Sequence, residues 1–534
     1  MSSGRLRVVV VGFGPVGARL CEELLPAVRS GTVELTVIGA ESDAPYNRVL
    51  IAELAAGRAD RDALLLHDPA DARAAGARVV LGTRVVALDR DARCAELETG
   101  ERIPYDRVVL ATGARANVPT LAGLDRPRYD EAALRRTGPA AIGSDALLPT
   151  GVTVLRDIAD AERVHRAVRA GARITVLGAG VLGLEFALLA ADAGAQVSVL
   201  HHGPTPMPRN LDRGAGTVLA RALKDRGITV FAHSRAEAVA FRENGGSRAF
   251  DAVVTADGNY LRGDLLVLSC GIGARTELAT LAGLRTAAGV VVDEQLRSWS
   301  DEAVYAIGDC AHVVPRTAEN EALSRLPGAP SGLIGPGWRQ AAWLAARLAA
   351  EAARIRHDDP APIESDAVVM LKDDDIDVVA VGDVDIELWD QPLSETEPLR
   401  HVAQWADPMH GRYVKMVTHD GVLDAFACVG MPRTAAELTL LYDRRGELPS
   451  DRSLLLRLDG ADEISSAADA FAPTATVCSC NGVRVQRIAD SIAAGNDTVA
   501  CLGRDTRAGT GCGGCKGRLV DLIERFAVAE AASA

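Results

Sequence analysis

Two copies of one short pattern limit what this chain can fold into. Residues 7–11 form a β-branched run that leads into Gly12-Phe-Gly14-Pro-Val-Gly17 and then into an apolar helical stretch over 18–25. Arg173–Leu177 does the same, leading into Gly178-Ala-Gly180-Val-Leu-Gly183-Leu-Glu185. A strand that ends in such a turn and opens a helix is the first unit of a dinucleotide-binding βαβ fold. The first glycine makes the tight turn, the second lets backbone approach a pyrophosphate, and the third lets helix and strand pack closely. Gly12, Gly14 and Gly17 are therefore candidate cofactor contacts, and so are Gly178, Gly180 and Gly183. The next strand of the first unit, 34–39, runs on to Glu41, which is placed to accept hydrogen bonds from an adenosine ribose. Two such units predict an α/β protein in which one nucleotide fold holds FAD and a second, inserted fold holds NAD(P)H.

The strand after the second turn, Gln196–Leu200, ends in His201-His202-Gly203-Pro204. NAD-binding folds usually carry an acid here and NADP-binding folds an arginine. Neither is present, and with no nearby cation for a 2′-phosphate the sequence favours NADH over NADPH. His201 is a candidate nucleotide contact. A solvent-facing ribose contact, a plain loop residue and a metal ligand are the readings open for the two histidines.

Near the end of the chain stand Cys478-Ser-Cys480 and Gly511-Cys512-Gly-Gly-Cys515-Lys516. Four thiolates at these spacings hold either zinc or an iron–sulfur cluster, and sulfur alone leaves both open. Gly509, Gly511, Gly513 and Gly514 strip the second loop of side chains, so backbone N–H groups can approach the sulfurs. Helix-like segments at 483–494 and 516–527 follow the two pairs, and Arg484, Arg487, Lys516 and Arg518 add positive charge. Helix N-termini and cations both favour an anionic cluster. The other cysteines (Cys21, Cys94, Cys270, Cys310, Cys428, Cys501) are scattered singly, which fits a reducing cytoplasm better than a disulfide framework.

At 534 residues the chain is expected to hold about three to five domains. A net charge of −14 argues against nucleic acid or an anionic membrane as partner. The N-terminus runs straight into a strand, so no signal peptide is expected, and no apolar run has membrane-spanning length. The boundaries expected are 1–150 and 271–356 for the FAD-binding domain, 151–270 for the NAD(P)H-binding domain, 363–445 for a small α+β interface domain and 474–530 for the cysteine domain. The α+β domain shows strand patterns at 368–371, Asp377–Val381, 413–418 and 423–429, and a helix at 434–442, with dimer or interface formation as its default role. Residues 117–150 have no assigned role, and 448–472 read as a linker.

Several segments carry a family resemblance. Cys478-Ser-Cys480-Asn481-Gly-Val483 with Thr510-Gly-Cys512-Gly-Gly-Cys515 resembles the small [2Fe-2S] domain of bacterioferritin-associated ferredoxin, which implies Cys478, Cys480, Cys512 and Cys515 as ligands. Ala44-Pro-Tyr46-Asn47-Arg48 resembles the Pro-Tyr-x-Arg segment of flavin reductases that serve ferredoxins, rubredoxins and nitrite reductase, which places Arg48 beside an isoalloxazine. Leu50-Ile51-Ala52 stands where ferredoxin reductases often have a lysine, and no C-x4-C follows the first helix, so no redox disulfide faces the flavin. Ala111-Thr112-Gly113 is similar to the A-T-G turn of two-dinucleotide flavoproteins. Val304-Tyr-Ala-Ile-Gly308-Asp309 is similar to the second FAD fingerprint, where Asp309 holds the ribityl chain; a helix N-cap is its other reading. Gly332–Gly337 opens a helix at 338–353 whose N-terminus is suited to negative charge on a reduced flavin. Glu185 matches the acid near the flavin in similar enzymes.

Residues 5–445 and 474–530 together resemble the electron-input half of assimilatory NADH nitrite reductase and the flavin subunit of assimilatory nitrate reductase. The resemblance implies two Rossmann-like domains of the pyridine nucleotide-disulfide oxidoreductase type, the α+β domain and a small helical [2Fe-2S] domain. It implies an FAD-dependent NAD(P)H oxidoreductase that feeds a separate acceptor protein. A molybdenum nitrate reductase is favoured, with ferredoxin, rubredoxin, nitrite reductase or a nucleotide-binding redox-sensor role as alternatives. No further cysteine quartet follows for a sirohaem site, so nitrite reduction is not expected within this polypeptide.

Overall fold

The computed structural model describes residues 5–124, 148–244, 247–357, 359–362, 368–373, 376–390, 400–456, 459, 471–511 and 513–531. Cys512, most of 117–150 and most of 457–470 lie outside the described residues.

The first lobe is built on a five-stranded parallel sheet. Its order is Val304–Ala306, Arg107–Leu110, Leu6–Val11, Val33–Ile38, Arg78–Val80. The central run Val8-Val9-Val10-Val11 is buried on both faces, as the strand of a helix-covered parallel sheet must be. Read from the opposite edge, the second lobe repeats this order with Thr229–Phe231, Gln196–Leu200, Arg173–Leu177 and Leu265–Leu268, and Val152–Val154 takes the edge place that Val304–Ala306 holds in the first. The repeat reaches beyond the two turns. Each lobe carries a three-stranded antiparallel meander between its third and fourth strands, one at Val85–Pro104 and one at Ala236–Arg262.

The helix Pro15–Arg29 follows the first turn and packs beside the helix Ile334–Ala353, sharing a core of Leu20, Leu24, Ala341, Leu344 and Leu348. That second helix begins one turn before the expected 338, with Leu333 as its N-cap.

The third unit is a five-stranded antiparallel sheet ordered Val369–Lys372, Asp377–Val381, Val422–Val429, Arg412–His419, Arg400–Asp407. Its edge strand Arg400–Asp407 was not among the expected strands, because the run RHVAQWAD shows no clean alternation. One face packs on the helix Pro432–Asp443 through Val414, Met416, Phe426 and Leu438. The other face (Val378, Tyr413, Val417, Ala425 and Ala427) joins the core of the second lobe. The sheet therefore uses both faces within its own chain.

The cysteine unit is a short hairpin, Thr476–Cys478 with Val483–Arg484, and three helices, Val485–Ala493, Val499–Thr506 and Lys516–Ala531. Its core is Val477, Val485, Ile488, Leu502, Leu519 and Leu522. The unit lies against the first lobe, where Arg507 bridges Glu22 at 2.8 Å and Glu23 at 2.9 Å on the helix Pro15–Arg29.

Candidate functional site

The two glycine turns have one geometry. Gly12 has φ +112° and Gly178 φ +114°, a region that excludes ordinary side chains. A Cβ on either would lie 2.1 Å from a backbone carbonyl, of Ala111 in the first lobe and Ser269 in the second. Gly14 and Gly180 have nothing within 4 Å of the same position, so each turn presents open backbone at its second glycine. Gly17 and Gly183 press their helices onto the turns, against the carbonyls of Gly12 and Gly178. The following helices start at Gly14 and Gly180 with no side-chain cap, which leaves their first N–H groups available to an anion. Both cradles fit a dinucleotide pyrophosphate.

Around the first turn the chain gathers charge. Glu41 accepts hydrogen bonds from Arg48 and, at 2.7 Å, from the Tyr46 hydroxyl. Burial raises the Glu41 carboxyl pKa, but the Arg48 charge and the two hydrogen bonds outweigh it and hold the group below its usual range. Arg48 also donates to the Tyr46 hydroxyl at 2.7 Å and to the Arg156 carbonyl at 3.1 Å. Arg156 donates to Asp309 at 2.8 Å. The short helix Gly308–Cys310 has Ile307, not Asp309, at its N-cap, so Asp309 is a charge partner there. Arg156 was not singled out from the sequence. It sits after the strand Val152–Val154 with no motif around it, and only the fold brings it to Asp309.

The Ala111-Thr112-Gly113 turn is tied to a returning segment of the chain. The Thr112 hydroxyl donates to the Arg275 carbonyl at 2.9 Å, and the Arg275 N–H donates to the Gly113 carbonyl at 2.9 Å. Burial, then the neighbouring Arg115, pushes Arg275 down to about 10. Arg48, Arg156 and Arg275 converge here, the first two paired with the carboxylates of Glu41 and Asp309, so the site is lined by charges of both signs. The helix Ile334–Ala353 also converges here, because a Cβ on Gly337 would lie 2.6 Å from Val16 and 3.4 Å from Gly308.

Glu185 is half-buried on the helix Val181–Asp192. That helix packs through Leu184 and Leu188 into the core shared with Ile51, Leu54 and Ala55, which follow directly on Arg48. Leu50, Ile51 and Ala52, which replace the lysine of similar reductases, are buried.

The structure departs from the solvent-facing reading of His201, which is 5% exposed while His202 is exposed. Neither ring nitrogen of His201 has a partner among the described residues. Burial, then the neighbouring His202 and His233, pushes it down to about 4, so the ring is neutral at pH 7. Backbone bonds from His201 N–H to Phe231 and from His233 N–H to Gly203 pin the loop.

In the cysteine unit, Cys478 ends its strand, Cys515 immediately precedes the helix Lys516–Ala531, and both are buried. A hydrogen bond with the Cys515 side chain, followed by amide donors from Gly509 and Asn481, pulls the Cys478 thiol down to about 6 against burial. The thiolate is the ligating form. A Cβ on Gly511 would lie 2.9 Å from the Cys480 Cβ and 3.4 Å from its sulfur, so that glycine is what allows the two loops to close. These donors suit an anionic metal–sulfur centre. Arg487 is turned to Asp505 at 3.3 Å, whereas Arg518 donates to the Thr476 carbonyl at 3.2 Å beside Cys478.

Residues 6–322 match the pyridine nucleotide-disulphide oxidoreductase family, and the chain belongs to it. Residues 476–525 match the BFD-like [2Fe-2S] binding domain, so the protein is an NAD(P)H oxidoreductase that uses FAD and a [2Fe-2S] cluster. The chain is 25% identical over 528 residues to a nitrite reductase [NAD(P)H] of Bacillus subtilis, covering 98% of this chain and 58% of that protein. It is 26% identical over 521 residues to an assimilatory nitrate reductase electron transfer subunit of the same organism, covering 97% of this chain and 59% of that one. It thus spans about three fifths of the length of these relatives. The fold matches the covalent putidaredoxin reductase–putidaredoxin complex with a TM-score of 0.66 and 21% identity, over 86% of this chain and 100% of that one. Among the described residues no helix is long and apolar enough to cross a membrane.

Proposed function

We propose that the chain oxidises NADH and passes the electrons, through FAD and the [2Fe-2S] cluster, to a separate reductase, an assimilatory nitrate reductase carrying molybdenum. The observation that carries this reading is the likeness to a nitrate reductase electron transfer subunit over 97% of the chain, cysteine unit included. When bound, the cofactors supply hydride transfer from nicotinamide to flavin and one-electron transfer to the cluster. The residues do the rest. Gly14 and Gly180 admit the two pyrophosphates, and Glu41 and Asp309, each held by an arginine, offer carboxylates to ribose and ribityl hydroxyls. Arg48, Arg156 and Arg275 offset phosphate charge, and Glu185 lies on the second-lobe helix that packs against the flavin-side segment. Cys478, Cys480, Cys512 and Cys515 hold the cluster. NADH is the preferred donor because no arginine stands in the segment His201–Pro204 that ends the strand Gln196–Leu200.

The test is a set of mixtures of the purified chain with a molybdenum nitrate reductase, a nitrite reductase, a ferredoxin and a rubredoxin, with NADH or NADPH as donor. NADH-dependent nitrate reduction is expected to be the fastest of these. Faster reduction of ferredoxin, rubredoxin or nitrite overturns the assignment of acceptor, and a kcat/KM favouring NADPH overturns that of donor.

A further inference from the structure

The residue before Arg48 reaches across the molecule. Asn47 is 2% exposed, and its side-chain amide donates to two consecutive carbonyls of the cysteine unit, Thr510 at 3.0 Å and Gly511 at 2.7 Å. An amide NH2 has two protons to give, and this one spends both on the loop that leads directly into Cys512. The same Asn47 is fixed from the other side. Its Oδ1 accepts from the Val49 N–H at 3.0 Å, capping the turn Arg48–Leu50, and its own N–H donates to the Leu64 carbonyl at 2.7 Å.

The loop is also seated on an aromatic floor. A Cβ on Gly511 would lie 3.1 Å from the Trp338 ring, and Trp338 Nε1 donates at 3.1 Å to the carbonyl of Pro15, the first residue after the Gly12–Gly14 turn. The loop therefore rests on Asn47 and Trp338, one adjoining Arg48 and the other at the start of the second turn of the helix that abuts Gly308. Both belong to the rim of the first-lobe cleft. Asn47 is a buried side chain that gives the loop directional bonds there.

We propose that Asn47 is a positioning residue that latches the cysteine loop to the rim of the flavin cleft, in the arrangement used for electron transfer between the two centres. This rests on the electron route proposed above. It also differs from a cysteine unit that works only as a tethered shuttle, because the docked arrangement is then a specified state with its own polar contact.

The substitutions Asn47→Asp and Asn47→Ser separate the latch from the cap. Aspartate keeps an oxygen acceptor for the Val49 N–H but turns a carboxylate oxygen toward two carbonyls. Serine keeps an acceptor near the cap and is too short to reach the loop. Both are made in the full chain with its cofactors. Hydrogen exchange of the backbone amides at 505–511 is expected to speed up at least tenfold in both. In anaerobic stopped flow, bleaching of the flavin by NADH is expected to stay within twofold of wild type, while cluster reduction slows at least tenfold. Unchanged exchange, or a cluster phase as fast as wild type, overturns the latch. Equal slowing of both phases also overturns it, because Asn47 would then be shaping the flavin cleft itself. If NADH never reduces the wild-type cluster, the electron route is wrong, and exchange alone decides whether Asn47 holds the loop.

Discussion

Gly178 and Gly180 stand two residues apart in one turn, yet the structure gives their substitutions opposite consequences. A methyl on Gly178 would meet the Ser269 carbonyl at 2.1 Å at φ +114°, so Gly178→Ala is expected to cost about 2 kcal/mol or more in stability. At Gly180 nothing lies within 4 Å, so Gly180→Val should fold normally and obstruct only the approach of the nucleotide. Its expected signature is at least a tenfold rise in the NADH dissociation constant, with unchanged melting temperature and FAD content. His201 supplies a pH dependence at the same scale. Its folded-state pKa is lowered to about 4, below that of the unfolded chain, so the unfolded state binds the extra proton between roughly pH 6.5 and 4. Stability at this site is therefore full above pH 6.5 and declines as pH falls toward 4, by about 3 kcal/mol at most. Melting curves of wild type and His201→Asn between pH 7.5 and 4.5 should converge as pH falls, and a constant gap would refute the assignment.

Between elements, a buried ion pair reinforces the apolar face by which the α+β sheet joins the second lobe. Asp212 caps the helix Arg213–Asp225, accepts from the Tyr413 hydroxyl, and faces Lys415 Nζ at 3.3 Å. Lys415 is fully buried and Asp212 is 4% exposed, so removing the carboxylate leaves an ammonium without its charge partner. Asp212→Ala is expected to cost about 3–5 kcal/mol, and the pair Asp212→Asn with Lys415→Met considerably less, because burying an unpaired charge is the dominant penalty. Thermal unfolding of the two variants decides this, and an equal loss in both would show that the ion pair is not the cause. The contact also explains why a strand patterned for a two-sided core carries a lysine: Tyr413, Lys415 and Val417 all face the second lobe.

At the scale of the whole molecule, the cysteine unit meets the first lobe through a buried polar contact at Asn47 and a half-exposed ionic one, Arg507 with Glu22 and Glu23. Exposed pairs of this kind contribute about 0.5 kcal/mol each and are screened by salt. Arg507→Ala is therefore expected to slow cluster reduction about two- to fivefold at low ionic strength, with the difference from wild type vanishing near 0.5 M salt. A slowing that salt leaves unchanged would mean that Arg507 acts through the fold of the cysteine unit, where its carbonyl accepts from Asn481 at 2.7 Å.

The two dinucleotide turns and the cysteine pairs were legible in the sequence because each is a local device. Spacing alone dictates where a glycine must stand because a carbonyl occupies the place of its Cβ, and the central strands follow as uninterrupted β-branched runs. Partners brought in from distant parts of the chain were not legible. Arg156 meets Asp309, Arg275 meets the Thr112 turn, and Asn47 meets Thr510 and Gly511, each across a separation that no local pattern records. The burial of His201 belongs with these, since exposure is set by the loop that folds over a residue and not by its own neighbours in sequence. Local sterics and hydrophobic periodicity are written in consecutive residues and determined this protein's lobes, its glycine turns and the spacing of its cysteine pairs. Charge pairing and docking depend on which surfaces the completed fold brings together, and those were decided only by the tertiary structure.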